Sequence, residues 1–368
     1  MKKLQKSNLQ SVSGSALPYI VVVAAFFIVT LLQKSGNLEQ HMQGMLVPVC
    51  CYIVMALSLN LTVGIMGELS IGHAGFMSLG AFSGVVASQS LIDAVPNTAL
   101  RLALSIACGA CVAAVGGFLI GLPVLRLRGD YLAIVTLAFG EIIRDIITCL
   151  IVGHDKNGLH ILFNFRGTKT VADLELVEGG LPIIKGAQGA IGTTKISSFG
   201  AGVILILIAL FIILNFIKSR TGRAVIAIRD NRIAAESVGV EVMKNKMIAF
   251  VISTTLAGAA GALYGLNYTS LAADKFDFNK SILVLVFVVL GGLGNMLGSI
   301  ISATVLTLLP EVLRGFDQYR MLIYAIVLIL VMLATNSPKM KALLQKLLQD
   351  VKTLLFKAVP KRKSEGEV

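Results

Sequence analysis

Apolar residues in this chain come in long runs, with polar residues largely confined to the stretches between them. Runs near 17–33, 44–63, 71–91, 99–122, 129–152, 199–217, 247–271, 281–294, 296–312 and 320–336 stand out. Most approach the roughly 20 residues a helix needs to cross a bilayer. No long stretch alternates apolar and polar positions with a period of two, so helices are predicted rather than strands. The chain reads as an all-α polytopic integral membrane protein of about ten transmembrane helices, eight at the least. Gly291-Gly292-Leu293-Gly294-Asn295-Met296 either separates two short helices or kinks one.

Composition agrees and excludes other classes. Of 368 residues, 56% are hydrophobic and 14% are charged, and the mean hydropathy is +0.84. A soluble chain carries about 25% charged residues, and a fold of this size must cover itself with polar groups. Soluble globular, disordered and disulfide-scaffold readings fall on that count.

The net charge of +12 raises nucleic acid as a partner, and its placement argues against one. Seven basic residues lie in 218–246 and eight in 339–363, with Lys2, Lys3 and Lys6 at the start and Arg126 and Arg128 between runs. That is the signature of segments on the cytoplasmic face of a bilayer. Ten spans with both termini cytoplasmic satisfy it. The first run ends in Leu31-Leu32-Gln33-Lys34 without a small-x-small cleavage site, so it reads as an uncleaved span. Residues 1–337 are then the membrane domain. The tail 338–368 carries leucines at helical spacing among lysines, which suits a basic amphipathic helix on an anionic leaflet or docked on another subunit. The segment 153–198 is the one large external stretch, mixed in charge and rich in glycine, either a solvated insertion or a docking surface.

Several chemistries find no support. Cys108 and Cys111 form a CxxC inside an apolar run, where no thiolate would be stabilised. There is no Walker-type phosphate loop, zinc motif or nucleophile elbow. No catalytic or metal site is expected. Gly80 and Gly84, Gly117 and Gly121, Gly261 and Gly265, and Gly294 and Gly298 recur four apart. In lipid such spacing lets helix backbones approach closely, so these are predicted packing seams.

Ionisable residues inside apolar runs are functional candidates, because charge is costly in lipid. Glu141 and Arg144 are three apart and can pair on one helix face, either fixing helix packing or lining a translocation path. Glu68, Ser70 and His73 lie in the glycine-broken stretch Gly67-Glu68-Leu69-Ser70-Ile71-Gly72-His73-Ala74-Gly75. Irregular backbone facing a cavity is one reading. A helix start capped by Ser70 is the other. In the basic segment 218–246, Ala224, Ile226, Ile228, Ile233, Ala235 and Val238 make the apolar face of a short helix, closed by Gly239.

That segment resembles the cytoplasmic coupling loop of permease subunits in bacterial ATP-binding-cassette importers, with Ala234-Ala235-x-x-x-Gly239 as its core. More narrowly, the chain resembles LivM-type permeases of branched-chain amino-acid importers. The stretches Asn60 to Gly80 (SIGHAGF), Leu122 to Arg144 (RLRGDYLAIVTLAFGEIIR), Gly222 to Gly239 and Ala249 to Gly265 (AFVISTTLAGAAGALYG) carry the likeness. It implies a type II-like permease fold in the bacterial inner membrane. It also implies partnership with a second permease subunit, two cytoplasmic ATPase subunits and a periplasmic solute-binding protein. ATP would be bound by the partners, leaving this chain with no cofactor of its own. Coupling to the ATPases would fall to Arg229, Asp230, Ala234, Ala235, Glu236 and Gly239, a bulky residue at Ala235 or Gly239 blocking the contact. Two departures stand out. Ile233 occupies a position where the importer pattern has glutamate, leaving Asp230 or Glu236 to supply the acid. Residues 154–185 look like an insertion before Lys185-Gly186-Ala187-Gln188-Gly189. Outside the family, an ion-gradient-driven secondary transporter using Glu68 and Glu141, or a membrane scaffold, are the alternatives.

Overall fold

A computed structural model describes residues 2–313 apart from 36–39, 93, 128, 156–157, 166–167 and 175–179, together with isolated positions between 322 and 329. The expected span at 320–336 and the amphipathic tail fall outside the described residues. By internal contacts the chain divides into units 1–308 and 309–368, and the account below concerns the first.

The apolar runs become helices: α1 (Lys2–Lys34), α2 (Gln40–Asn60), α3 (His73–Ser90), α4 (Thr98–Val124), α5 (Asp130–Thr148), α6 (Phe199–Lys218) and α9 (Val242–Gly265). Two shorter ones, α10 (Phe278–Gly291) and α11 (Met296–Val312), end the described bundle. Five stretches are long and apolar enough to cross a membrane: Leu17–Lys34, Met42–Ile65, Thr98–Val124, Phe199–Lys218 and Val242–Gly265. The ambiguous glycine stretch is a true break, with Gly292 and Gly294 both at positive φ (91° and 81°) between α10 and α11.

Glycine decides how α3, α4 and α9 pack. A Cβ at Gly80 would run into the backbone of Gly258, and one at Gly261 into the carbonyl of Met77. Gly117 lies against Thr254, Gly84 against Ala262, and Gly258 against Ala113. The predicted seams at Gly80/Gly84, Gly117/Gly121 and Gly261/Gly265 are therefore real interfaces, where side-chain-free surfaces bring backbones into contact. At the fourth pair, Gly298 abuts Gly291, whereas Gly294 serves the break.

The all-α expectation needs correction. Within the supposed external loop the chain forms β1 (Leu150–Asp155), β2 (Gly158–Phe163), β3 (Leu181–Lys185) and β4 (Ala190–Ile191), and β5 (Ser270–Leu271) follows α9. They make one antiparallel sheet in the order β2-β1-β3-β4-β5, with Val152 opposite both Ile161 and Ile184, and Ala190 opposite Leu271. Ile151, Val152, Ile183, Ile184 and Ala190 are buried. The Lys185–Gly189 stretch closes the β3–β4 hairpin, with Gly186 and Gly189 at positive φ (63° and 72°). Its strands are too short to stand out against the hydropathy of the helices around them.

Candidate functional site

The basic segment after α6 folds as two helices rather than one, α7 (Arg220–Asp230) and α8 (Arg232–Ser237). Asn231 splits them: its backbone is extended (φ −155°, ψ 102°), and its side chain accepts from the Ala234 N–H at 3.0 Å, capping α8. Ser219 caps α7 in the same way, through the Gly222 N–H. At the far end Gly239 turns the chain at φ 83°, a conformation glycine adopts without Cβ strain.

This pair has two faces. Val225, Ile228 and Ala235 are buried against the chain itself, while Ile233 and Val238 stand 80% and 78% exposed. Ala234 and Gly239 are exposed with them. The apolar face expected from the sequence is therefore divided, half spent on internal packing and half presented outward. Ala235 belongs to the inner half, so a bulky residue there disturbs this chain's own packing before it meets a partner.

The acids near Ile233 are engaged. Asp230 Oδ1 pairs with Arg229 Nη2 and Glu236 Oε1 with Arg232 Nε, each at 2.9 Å. Arg229 also reaches inward, its Nη1 donating to the Gly64 carbonyl at 2.9 Å.

Gly64 sits where α2 loses its regularity. Residues Leu61–Ile65 form a single π-helical turn, a wide turn that frequently marks functional positions. Beyond it the chain is irregular to Gly72, with Gly67 at φ 76° and packed under the Arg229 side chain. Glu68 makes a largely buried ion pair with Lys246 near the start of α9. The Ile71 N–H donates to Thr136 Oγ1 of α5 at 3.1 Å, and Gly72 lies against the Thr136 carbonyl. Ser70 does not cap α3; its hydroxyl is buried without a partner, and the cap position belongs to Gly72.

His73 opens α3 fully buried. Its Nε2 lies 3.1 Å from Ser253 Oγ, which donates to the Ser58 carbonyl (2.5 Å) and accepts from Thr62 Oγ1 (2.8 Å). Asn60 completes the polar group: its Oδ1 accepts from the Gly294 N–H at 2.8 Å and its Nδ2 donates to Ser299 Oγ at 2.9 Å. The π-turn is thereby tied to α9, to the α10–α11 break and to α11. Ser70 and His73 are both enclosed in protein. Glu141 and Arg144 pair at 2.9 Å on α5, both partly exposed, as the spacing predicted.

Two parts of this site were missed from the sequence. Asn60 and Thr62 are polar side chains inside an apolar run, and that was the available signal. Lys246 was counted merely as one more basic residue.

Comparison with known proteins places the whole assembly. Residues 42–333 match the family model described as the branched-chain amino acid transport system permease component. The high-affinity branched-chain amino acid permease protein LivM of Escherichia coli K12 is 35% identical over 292 residues, 77% of this chain and 66% of that protein. The LivM protein of Salmonella typhimurium is 31% identical over 342 residues, 89% of this chain and 76% of that one. The L-arabinose ABC transporter permease protein AraH of Azospirillum brasilense is 26% identical over 337 residues. No solved structure matches. With residues 42–333 matched and two LivM relatives above 30% identity, the chain belongs to the branched-chain amino acid transport permease family, membrane components of ABC transporters.

Proposed function

We propose that this chain is one membrane half of an ATP-driven importer of branched-chain amino acids in the bacterial inner membrane. It pairs with a second permease subunit, with two ATPase subunits below α7 and α8, and with a solute-binding protein at the opposite, sheet-bearing end. Both termini then lie on the ATPase side, and ATP is bound and hydrolysed by the partners.

One observation carries the reading. The Arg229 guanidinium joins the exposed helix pair to the Gly64 carbonyl inside the irregular part of α2. A push on Ile233, Ala234, Val238 and Gly239 from a docked ATPase reaches Asp230 and Arg229, and through Arg229 the π-turn. The Glu68–Lys246 pair fixes the next few residues to α9, so movement of the helix pair and rearrangement of segment 61–72 are linked. That is the physical requirement for coupling: two elements whose positions are not independent. In this scheme Glu236, paired with Arg232, shapes the outer surface of α8.

A secondary transporter needs a carboxylate free to load and release its ion. Glu68 is held by Lys246 and Glu141 by Arg144, which gives that reading less support.

The test is uptake of labelled leucine into vesicles carrying this chain with its second permease and ATPase subunits, with binding protein and ATP supplied. ATP-dependent accumulation that needs the binding protein is the expected result. Uptake by this chain alone, abolished by an uncoupler, overturns it. Accumulation of arabinose but not leucine moves the substrate assignment to sugars.

A further inference from the structure

Resting on the import reading, a second location in the molecule has the chemistry of an amino-acid site. It lies at the other end of α9 from Lys246, about 27 Å away along the helix at Tyr264. There a cavity of about 620 Å³ opens between the end of α9, the segment after β5 and the first turns of α10. Volumes of roughly 300–1,000 Å³ are usual for small-ligand pockets.

Its walls are unlike the apolar surfaces elsewhere on the bundle. Tyr264 and Tyr268 form one side, their ring centroids 5.0 Å apart. Asp274, Lys275, Asp277 and Lys280 line the other, with Leu283 adding apolar surface. The Lys275 ammonium stands 4.6 Å from the Tyr268 ring centroid, and the Lys280 ammonium 5.3 Å from that of Tyr52. Among the described residues neither ammonium is within ion-pair distance of a carboxylate. Asp277 caps α10 through the Lys280 N–H at 3.0 Å and accepts from Asn279 Nδ2 at 2.8 Å, which leaves further lone pairs on both oxygens. Two cations held over aromatic faces and two carboxylates therefore share one recess, with each sign still able to take a partner.

We propose that this recess binds the zwitterionic head of an α-amino acid before it passes deeper into the bundle. The ligand carboxylate meets the Lys275 and Lys280 ammonium groups. Its own ammonium meets Asp277 and Asp274, with cation–π support from Tyr264 and Tyr268. Leu283 and the tyrosine ring faces receive the aliphatic side chain. A sugar supplies neither charge, so the recess discriminates between zwitterions and polyols. A direct contact links it to the interior: Ser281, next to Lys280, accepts from the Ala74 N–H at 3.2 Å, and Ala74 follows His73 at the start of α3. The recess thus ends one hydrogen bond from the broken segment that the coupling helices reach from the other side.

Two measurements on the assembled membrane complex, without binding protein for the first, test this. Saturation-transfer NMR is recorded with L-leucine, with 4-methylpentanoate (no ammonium) and with 3-methylbutylamine (no carboxylate). Strong leucine methyl signals, several-fold weaker signals from both analogues, and loss of the leucine signal in the Lys275→Gln/Lys280→Gln variant are expected. Retention in Lys275→Arg/Lys280→Arg shows that charge, not shape, is read. Equal signals from the glutamine variant, or from the analogues, overturn the assignment. Leucine uptake into vesicles is then compared, with an expected fall of tenfold or more in the glutamine variant. Equal uptake in wild type and variant removes the recess and leaves the import reading intact. Binding that follows the predicted pattern in a complex that accumulates no leucine keeps the recess and removes the import reading.

Discussion

The guanidinium of Arg229 and the carbonyl of Gly64 are 165 positions apart in the chain and 2.9 Å apart in space. The acceptor is a carbonyl in an irregular turn, and Arg229 Cγ packs against Gly67, so the contact holds the turn as well as the helix pair. A hydrogen bond from a charged donor contributes about 1.5–3 kcal/mol, and the partial exposure of Arg229 places this one at the lower end. Arg229→Ala should leave insertion and basal ATP hydrolysis in place while uptake falls roughly tenfold. ATPase and uptake measured on the same vesicles check this; a parallel loss of both points to a folding defect instead.

Glu68 and Lys246 make a pair with little access to solvent. Removing one partner leaves a buried charge, at a cost of about 3–5 kcal/mol, whereas replacing both with neutral groups of similar size costs far less. Glu68→Gln and Lys246→Met singly should each reduce the monodisperse fraction surviving a heat step in detergent. The double substitution should recover most of it. Additive losses in the double variant would show that the pair does not act as a unit.

Ile233 and Val238 support no internal packing, so Val238→Glu should cost this chain under about 0.5 kcal/mol. Co-purification of the ATPase subunits should nevertheless drop sharply. Ala235→Trp should behave oppositely and lower the yield of folded chain, because Ala235 faces inward. Size-exclusion profiles of the two variants, with and without the ATPase subunits, separate these effects.

Glycines in the seams should differ from glycines on open surface. At Gly261 a methyl would collide with the Met77 carbonyl, while at Gly200 nothing lies within 4 Å. Gly261→Ala should destabilise the bundle by a few kcal/mol, in the range of over-packed cores. Gly200→Ala should be neutral or slightly stabilising, since alanine is the better helix former. Thermal stability of both variants in one detergent decides the matter.

Much of the fold was legible in hydropathy alone, because a span must be both long and apolar. The glycine pairs told which helices touch, and Glu141 with Arg144 was readable from spacing. The sheet was not, since β1 reads as the end of an apolar run and β3 lies inside a glycine-rich stretch of mixed charge. Nor was the split at Asn231: its capping side chain lies inside a helical pattern, and only the extended backbone reveals the break. Arg229 was singled out through family resemblance, but its partner is a backbone carbonyl, which has no sequence identity to read.

The seams of α3, α4 and α9 carry a mechanical consequence. Surfaces with carbonyls against α-carbons cannot slide, because a small displacement along the axis drives one backbone into another. These three helices must turn as one rigid body, as in hinge rather than shear motion. Bending is left to the irregular stretch 66–72 and to the break at Gly292–Asn295, which Asn60 fastens through the Gly294 N–H. The glycines that join the bundle thus also decide where it can flex.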